Sequence, residues 1–149
     1  MIKGVHHTAI STGNLKRLCR FYSDVLGFDV VMEGGWESGS DVYDKVIGLN
    51  NSAAKVVMLS KGDAIIELFE YHSPVPKPID SGQRVCDHGY THICLEVEGI
   101  EAEYDRLKAA GMTFHGSLPE SMSGIRAIYG RDPEGNVIEL LEMTDSITK

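Results

Sequence analysis

Two histidines and two glutamates stand in segments that otherwise read as apolar strands. His7 lies in Val5–Ser11, Glu67 in Ala64–Tyr71, His92 in Tyr90–Val97 and Glu139 in Val137–Glu142. Residues two apart on a strand share a face. Thr8 and Ile10 therefore share one face, and His7, Ala9 and Ser11 the other. Ile66 and Leu68 oppose Ile65, Glu67, Phe69 and Tyr71. Ile93, Leu95 and Val97 oppose His92 and Cys94, and Ile138 and Leu140 oppose Val137, Glu139 and Leu141. A half-buried carboxylate without a partner is costly, and a divalent cation compensates it well. Two imidazoles with two carboxylates suit iron, nickel, cobalt, manganese or zinc. An octahedral ion on four protein ligands keeps two positions for water or substrate. A lone strand histidine is more often a core or surface residue, and a strand glutamate is usually solvated. The metal reading rests on the recurrence of all four at equivalent places. His6 falls on the face opposite His7, and His72, His88 and His115 fall in loops or at strand ends, apart from this set.

The recurrence implies a duplicated unit that must position these groups. The first copy reads as a strand over Val5–Ser11, a turn at Thr12–Asn14 and a helix marked by Leu15, Leu18, Tyr22, Val25 and Leu26. Gly27 stops the helix. Strands follow over Phe28–Met32, Val56–Leu59 and Ala64–Tyr71, with a Gly/Ser/Asp-rich loop from Gly34 to Ser52. The second copy runs Tyr90–Val97, a helix with Ile100, Tyr104, Leu107 and Ala110 stopped by Gly111, then strands over Met112–His115, Arg126–Gly130 and Val137–Glu142. His7 and His92 are 85 positions apart, as are Leu15 and Ile100, whereas Ile66-Glu67-Leu68 precedes Ile138-Glu139-Leu140 by 72. The difference falls largely in the loop over Gly34–Ser52. A repeat of this kind predicts an α+β fold of two tandem βαβββ modules. They would form a curved, cup-shaped mixed sheet with helices on the outer face. The expected layout is one domain over 1–149, with module 1 over about 4–72, a proline-rich linker over about 73–88 and module 2 over about 89–144.

Composition narrows the function classes. The 149 residues are 42% hydrophobic and 24% charged, the mix of a folded globular chain. Lys plus Arg number 14 against 22 Asp plus Glu, and that excess of acid argues against nucleic-acid binding. No apolar stretch approaches a membrane span, and no secretory leader is evident, so no membrane role and a cytoplasmic location are expected. Three unpaired cysteines, Cys19, Cys86 and Cys94, fit a reducing compartment.

The chain resembles the vicinal oxygen chelate superfamily, which includes glyoxalase I, methylmalonyl-CoA epimerase, bleomycin- and fosfomycin-resistance proteins and extradiol dioxygenases. The resemblance spans essentially the whole chain. It rests on Val5-His6-His7-Thr8, the run Phe21–Phe28, Ile66-Glu67-Leu68, His92-Ile93, and the run Asp132–Leu140. It implies His7, Glu67, His92 and Glu139 as metal ligands, a set similar to that of bacterial glyoxalase I. Methylmalonyl-CoA epimerases usually have Gln at the second position, and extradiol dioxygenases have no ligand there. The positions at which glyoxalase I holds glutathione are Ser11 and Tyr71 here, which speaks against glutathione. Asn50 and Asn51 fall near the place of the epimerase catalytic Glu, with Asp41, Asp44 and Glu37 in the neighbouring loop.

The expected activity is that of a metal-dependent lyase, isomerase or epimerase acting on a small carbonyl or thioester substrate through an enediolate. Glu139 is the first candidate for the base and Glu67 the second. Trp36, Tyr43, Phe69 and Tyr71 are candidates for apolar walls, together with Met122 and Tyr129. Arg84 and Arg126 are candidates for holding an anionic group. A homodimer is expected. The alternatives are a ring-cleaving dioxygenase and a non-catalytic binding protein of the antibiotic-resistance type.

Overall fold

The structure is a computed structural model, and it describes residues 1–80 and 82–144. The chain divides into two compact units, Met1–Pro78 and Ile79–Lys149.

The first unit contains β1 (Thr8–Ser11), α1 (Leu15–Arg20), β2 (Asp29–Trp36), α2 (Asp41–Ile47), β3 (Ala53–Lys61) and β4 (Ala64–Ser73). Asn14 caps α1 by accepting the Arg17 N–H, so the helix begins where its first free amide is satisfied. Phe21–Val25 continues it as a wider π-helical turn. The chain then reverses at Gly27, whose φ of 72° is a conformation that favours glycine. Lys61 Nζ donates to the Leu26 carbonyl at 2.6 Å and ties this turn to the end of β3. The sheet order is β1-β4-β3-β2, with β1 parallel to β4 and the other pairs antiparallel. The helix supplies the crossover that a parallel pair requires. Leu18 and Tyr22 bury completely, as do Leu59 and Leu68, and α1 packs on β3 and β4.

The second unit contains β5 (Ile93–Glu96), α3 (Ile100–Ala109), β6 (Thr113–Phe114), β7 (Glu120–Met122), β8 (Ile125–Arg131) and β9 (Val137–Met143). Its sheet order is β5-β9-β8-β6, with β7 also on β8 and β5 parallel to β9. Ile100 and Leu107 on α3 pack with Ile138 and Leu140 in its core. Asp132 is buried in the turn before β9, where it accepts the Glu134 and Asn136 N–H groups and the Asn136 side-chain amide.

The duplication extends to strand register. Ala9 stands opposite Glu67 and Ile10 opposite Leu68, while Cys94 stands opposite Glu139 and Leu95 opposite Leu140. These pairs repeat the offsets read in the sequence. Each unit is thus a βαβββ module around a mixed sheet.

Several expectations are corrected. β1 and β5 begin at Thr8 and Ile93, later than expected, so His7 and His92 each stand one residue before the strand. β2 runs on to Trp36, and the stretch read as a loop holds α2. That helix buries no residue: Val42 and Val46 are exposed, so it lacks the apolar stripe that marks a helix in sequence. β7 is three exposed residues, too short for an alternating pattern. Among the described residues no helix is long and apolar enough to cross a membrane.

Candidate metal centre

Each unit brings one predicted histidine to one predicted glutamate. In the first, His7 Nε2 lies 3.1 Å from Glu67 Oε2. In the second, His92 Nε2 lies 3.2 Å from Glu139 Oε2. The register explains the equivalence. The parallel strand places Ala9 or Cys94 opposite the glutamate, and the histidine two residues earlier reaches the same carboxylate. All four side chains keep some exposure, the glutamates least, at 14% for Glu67 and 13% for Glu139.

These pairs fit a metal. Two donors each about 2.1 Å from an ion and at right angles to each other lie about 3.0 Å apart. Both histidines present Nε2 to the carboxylate and turn Nδ1 to a neighbour: His7 Nδ1 is 2.9 Å from His6 Nδ1, and His92 Nδ1 is 2.8 Å from Thr91 Oγ1. A ring that donates its Nδ1–H keeps the Nε2 lone pair for a cation, and outer contacts of this type orient metal-ligating imidazoles. Without a metal the same spacing is a hydrogen bond. Among the described residues no three His, Cys, Asp or Glu side chains form one cluster, and each unit holds one His–Glu pair.

The surroundings of the two glutamates differ. Tyr129 on β8 is opposite Glu139, and its ring meets His92 at 5.0 Å and 77°. Burial, then the charge of Glu139 and a hydrogen bond to it, push the Tyr129 phenol up. Partial desolvation and the Glu139 carboxylate push the Cys94 thiol up to about 11, although Cys94 is solvent-exposed. Near Glu67, burial and that carboxylate push the Tyr71 phenol up. Both tyrosines and Cys94 therefore stay protonated at neutral pH.

The aromatic candidates of the first unit come together. Trp36 stacks on Tyr43 with centroids 4.5 Å apart, and its plane stands steeply to Phe69 and Tyr71. The arginine candidates have protein partners. Arg126 pairs with Glu101 and lies 3.6 Å from Glu142, and Arg84 Nη2 lies 2.9 Å from Asp87. Met122 is exposed on β7.

Sequence reasoning missed Ser52. It is fully buried, accepts the Trp36 indole N–H at 2.9 Å and donates to Asp44 Oδ1 at 2.5 Å. Asp44 also accepts the Asn51 and Ser52 amides at 2.6 and 2.9 Å. A serine directly before a strand reads as a turn residue, and only the missed helix α2 explains the contact.

The sequence profile of the glyoxalase/bleomycin resistance protein/dioxygenase superfamily matches residues 4–140. The chain belongs to this superfamily. Its curated relatives include a 2-epi-5-epi-valiolone epimerase from Actinomyces sp., 26% identical over 147 residues, 93% of this chain and 79% of that one. A probable lactoylglutathione lyase from Synechocystis sp. is 27% identical over 137 residues, 91% and 92% of the two chains. Among solved structures, a glyoxalase family protein from Bacillus cereus superposes with a TM-score of 0.87 at 22% identity, covering 97% of each chain. The fosfomycin resistance protein FosX from Listeria monocytogenes, solved with Mn(II) and sulfate, matches with a TM-score of 0.60 at 19% identity, covering 95% and 93%. The two curated relatives are named as enzymes, FosX was solved with Mn(II), and this superfamily member shares the fold of the solved structures.

Proposed function

We propose that the protein is a metal-dependent lyase, isomerase or epimerase that moves a proton beside the carbonyl of a small substrate. The observation that carries this reading is the pair of His–Glu contacts, at the same register positions of a duplicated sheet and at the spacing of neighbouring metal ligands. On this reading His7, Glu67, His92 and Glu139 are the four ligands of one divalent cation. The cation supplies Lewis-acid polarisation of the substrate's oxygen atoms. Epimerase and lyase relatives support the class of reaction, and the manganese in FosX supports the cofactor.

The remaining steps belong to the chain itself. Glu139 takes the proton from the carbon next to the carbonyl and returns it to the same or the neighbouring carbon. Tyr129 and Cys94, both held protonated, hold that carboxylate in place and leave it as the acceptor. Glu67 chiefly binds the cation and is the second candidate for the base. Ile65 and Phe69 flank Glu67 on its face of the strand, as Val137 and Leu141 flank Glu139, and this apolar lining limits water.

Metal analysis of protein purified without chelator, followed by proton–deuterium exchange on α-hydroxy ketones, hemithioacetals and thioesters, tests the reading. The expected result is a bound divalent ion and exchange that stops on chelation. Metal-loaded protein that exchanges none of these, or that consumes oxygen with catechols instead, would overturn it.

A further inference from the structure

The first unit contains two aromatic groups that are built differently. Phe21, Tyr22 and Phe28 are almost wholly buried and belong to the core. Trp36, Tyr43, Phe69 and Tyr71 are all only part-buried or exposed, with Tyr43 at 42% exposure. Register puts Trp36, Phe69 and Tyr71 on the metal-pair face, and Tyr43 on α2 stacks on Trp36. Met32, Met58 and Glu67 form one cross-strand row, Gly34, Val56 and Phe69 the next, and Trp36, Ala54 and Tyr71 the third. Glu67, Phe69 and Tyr71 are alternate residues of β4, so this face runs from the carboxylate to the aromatic rings over roughly 7–13 Å.

The rings have a defined shape. Phe69 and Tyr71 lie near-parallel at 5.6 Å and 20°. Trp36 stands against them at 73° and 81°, so its plane and theirs meet at a steep corner. The corner stands over small residues, Gly34 and Ala54. It is also held in place: the indole N–H is committed to Ser52, and Ser52 to Asp44 on α2. Part-exposed aromatic rings prefer offset or edge-to-face partners, and a contiguous apolar patch of this kind is a recognition surface, here one with the walls of a ligand groove. Among the described residues, the equivalent rows of the second unit pair Leu141 with Ala127 and Met143 with Ile125, with no aromatic ring in either. The asymmetry points to recognition of one end of one ligand.

We propose that this corner is the specificity subsite of the enzyme, and that it takes a flat ring carried by a substrate whose two neighbouring oxygens engage the His–Glu pairs. The inference rests on the metal reading for the oxygen end alone. A planar ring stacks on one wall of the corner and meets the other edge-on, and a short aliphatic chain does neither. Asp44 and Ser52 are positioning residues that hold the wall.

Trp36 is the sole tryptophan, so its fluorescence reports from the subsite directly. The test titrates 3-phenyllactate and lactate into the intact protein, both metal-free and loaded with Mn(II), exciting where only indole absorbs. The expected result is a saturable change in emission with 3-phenyllactate in both forms, none with lactate in the metal-free form, and at least tenfold tighter binding of 3-phenyllactate than lactate once metal is present. Phe69→Leu and Tyr71→Leu should each reduce that preference several-fold without lowering metal content, and Ser52→Ala should do so by freeing the indole. A 3-phenyllactate response that metal fails to tighten points against the metal reading and leaves the ring subsite standing. No saturable response to 3-phenyllactate, as when a second protein surface covers the rings, overturns the subsite. So does a preference unchanged in both leucine variants.

Discussion

The two glutamates are equivalent by register and unequal by environment. Glu139 faces a phenol and a thiol that both remain protonated, whereas Glu67 has Tyr71 as its neighbouring phenol. The proposed division of labour follows: Glu139 transfers the proton, and Glu67 chiefly binds. Glu139→Gln keeps the shape and one acceptor oxygen while removing the base. We expect it to lower kcat by about 10²- to 10⁴-fold, the usual share of a positioned acid–base group. His92→Ala should instead remove the bound metal. Plasma mass spectrometry beside steady-state kinetics separates the two effects. Full activity in the glutamine variant would refute the base assignment.

At the scale of elements, the equivalent strands should contribute alike to stability. Leu68 and Leu140 occupy the same register position and both are fully buried. Leu68→Ala and Leu140→Ala should each cost about 2–5 kcal/mol, read as a lower urea midpoint by circular dichroism. This equivalence was legible in the sequence because both strands carry the same Ile-Glu-Leu run, with the glutamate set between buried aliphatic residues. The helix α2 was not legible. Its residues bury nothing, and it is held instead by Asp44, which accepts three hydrogen bonds from Asn51 and Ser52. The short β7 and the late starts of β1 and β5 escaped for a related reason, since pairing partners rather than local pattern decide them. The His–Glu contacts were legible as residues, but the Ser52–Trp36 bond depends on a helix the pattern hides. Asp44 also predicts a pH effect. The Ser52 hydroxyl and the Ser52 and Asn51 amides hold its carboxyl below the ordinary value. Its stabilising share is therefore complete above the usual carboxylate range near pH ~4 and is lost as pH falls through the lowered value. Between pH 7 and pH 3 the wild-type urea midpoint should fall further than that of Asp44→Asn, with the loss reported by Trp36 emission.

At the scale of the molecule, two compact units each carry half of the proposed ligand set. Two arrangements of metal are then distinguishable by stoichiometry. If each pair bound an ion independently, His7→Ala would leave half of the metal in place. If both pairs serve one ion, the wild type holds one ion per chain, and His7→Ala or His92→Ala alone removes nearly all of it. We expect the second result, because a lone His–Glu pair offers an ion only two protein donors and structural or catalytic sites generally use three or four. The homodimer expected from the sequence gives a sharper form of the same test. Mixing the two inactive variants and allowing subunits to exchange restores no site where all four ligands come from one chain. Where each site draws one pair from either subunit, the mixed dimer contains one site with all four ligands and one with two defects. Random pairing in a two-fold dimer then returns about a quarter of the wild-type metal and activity.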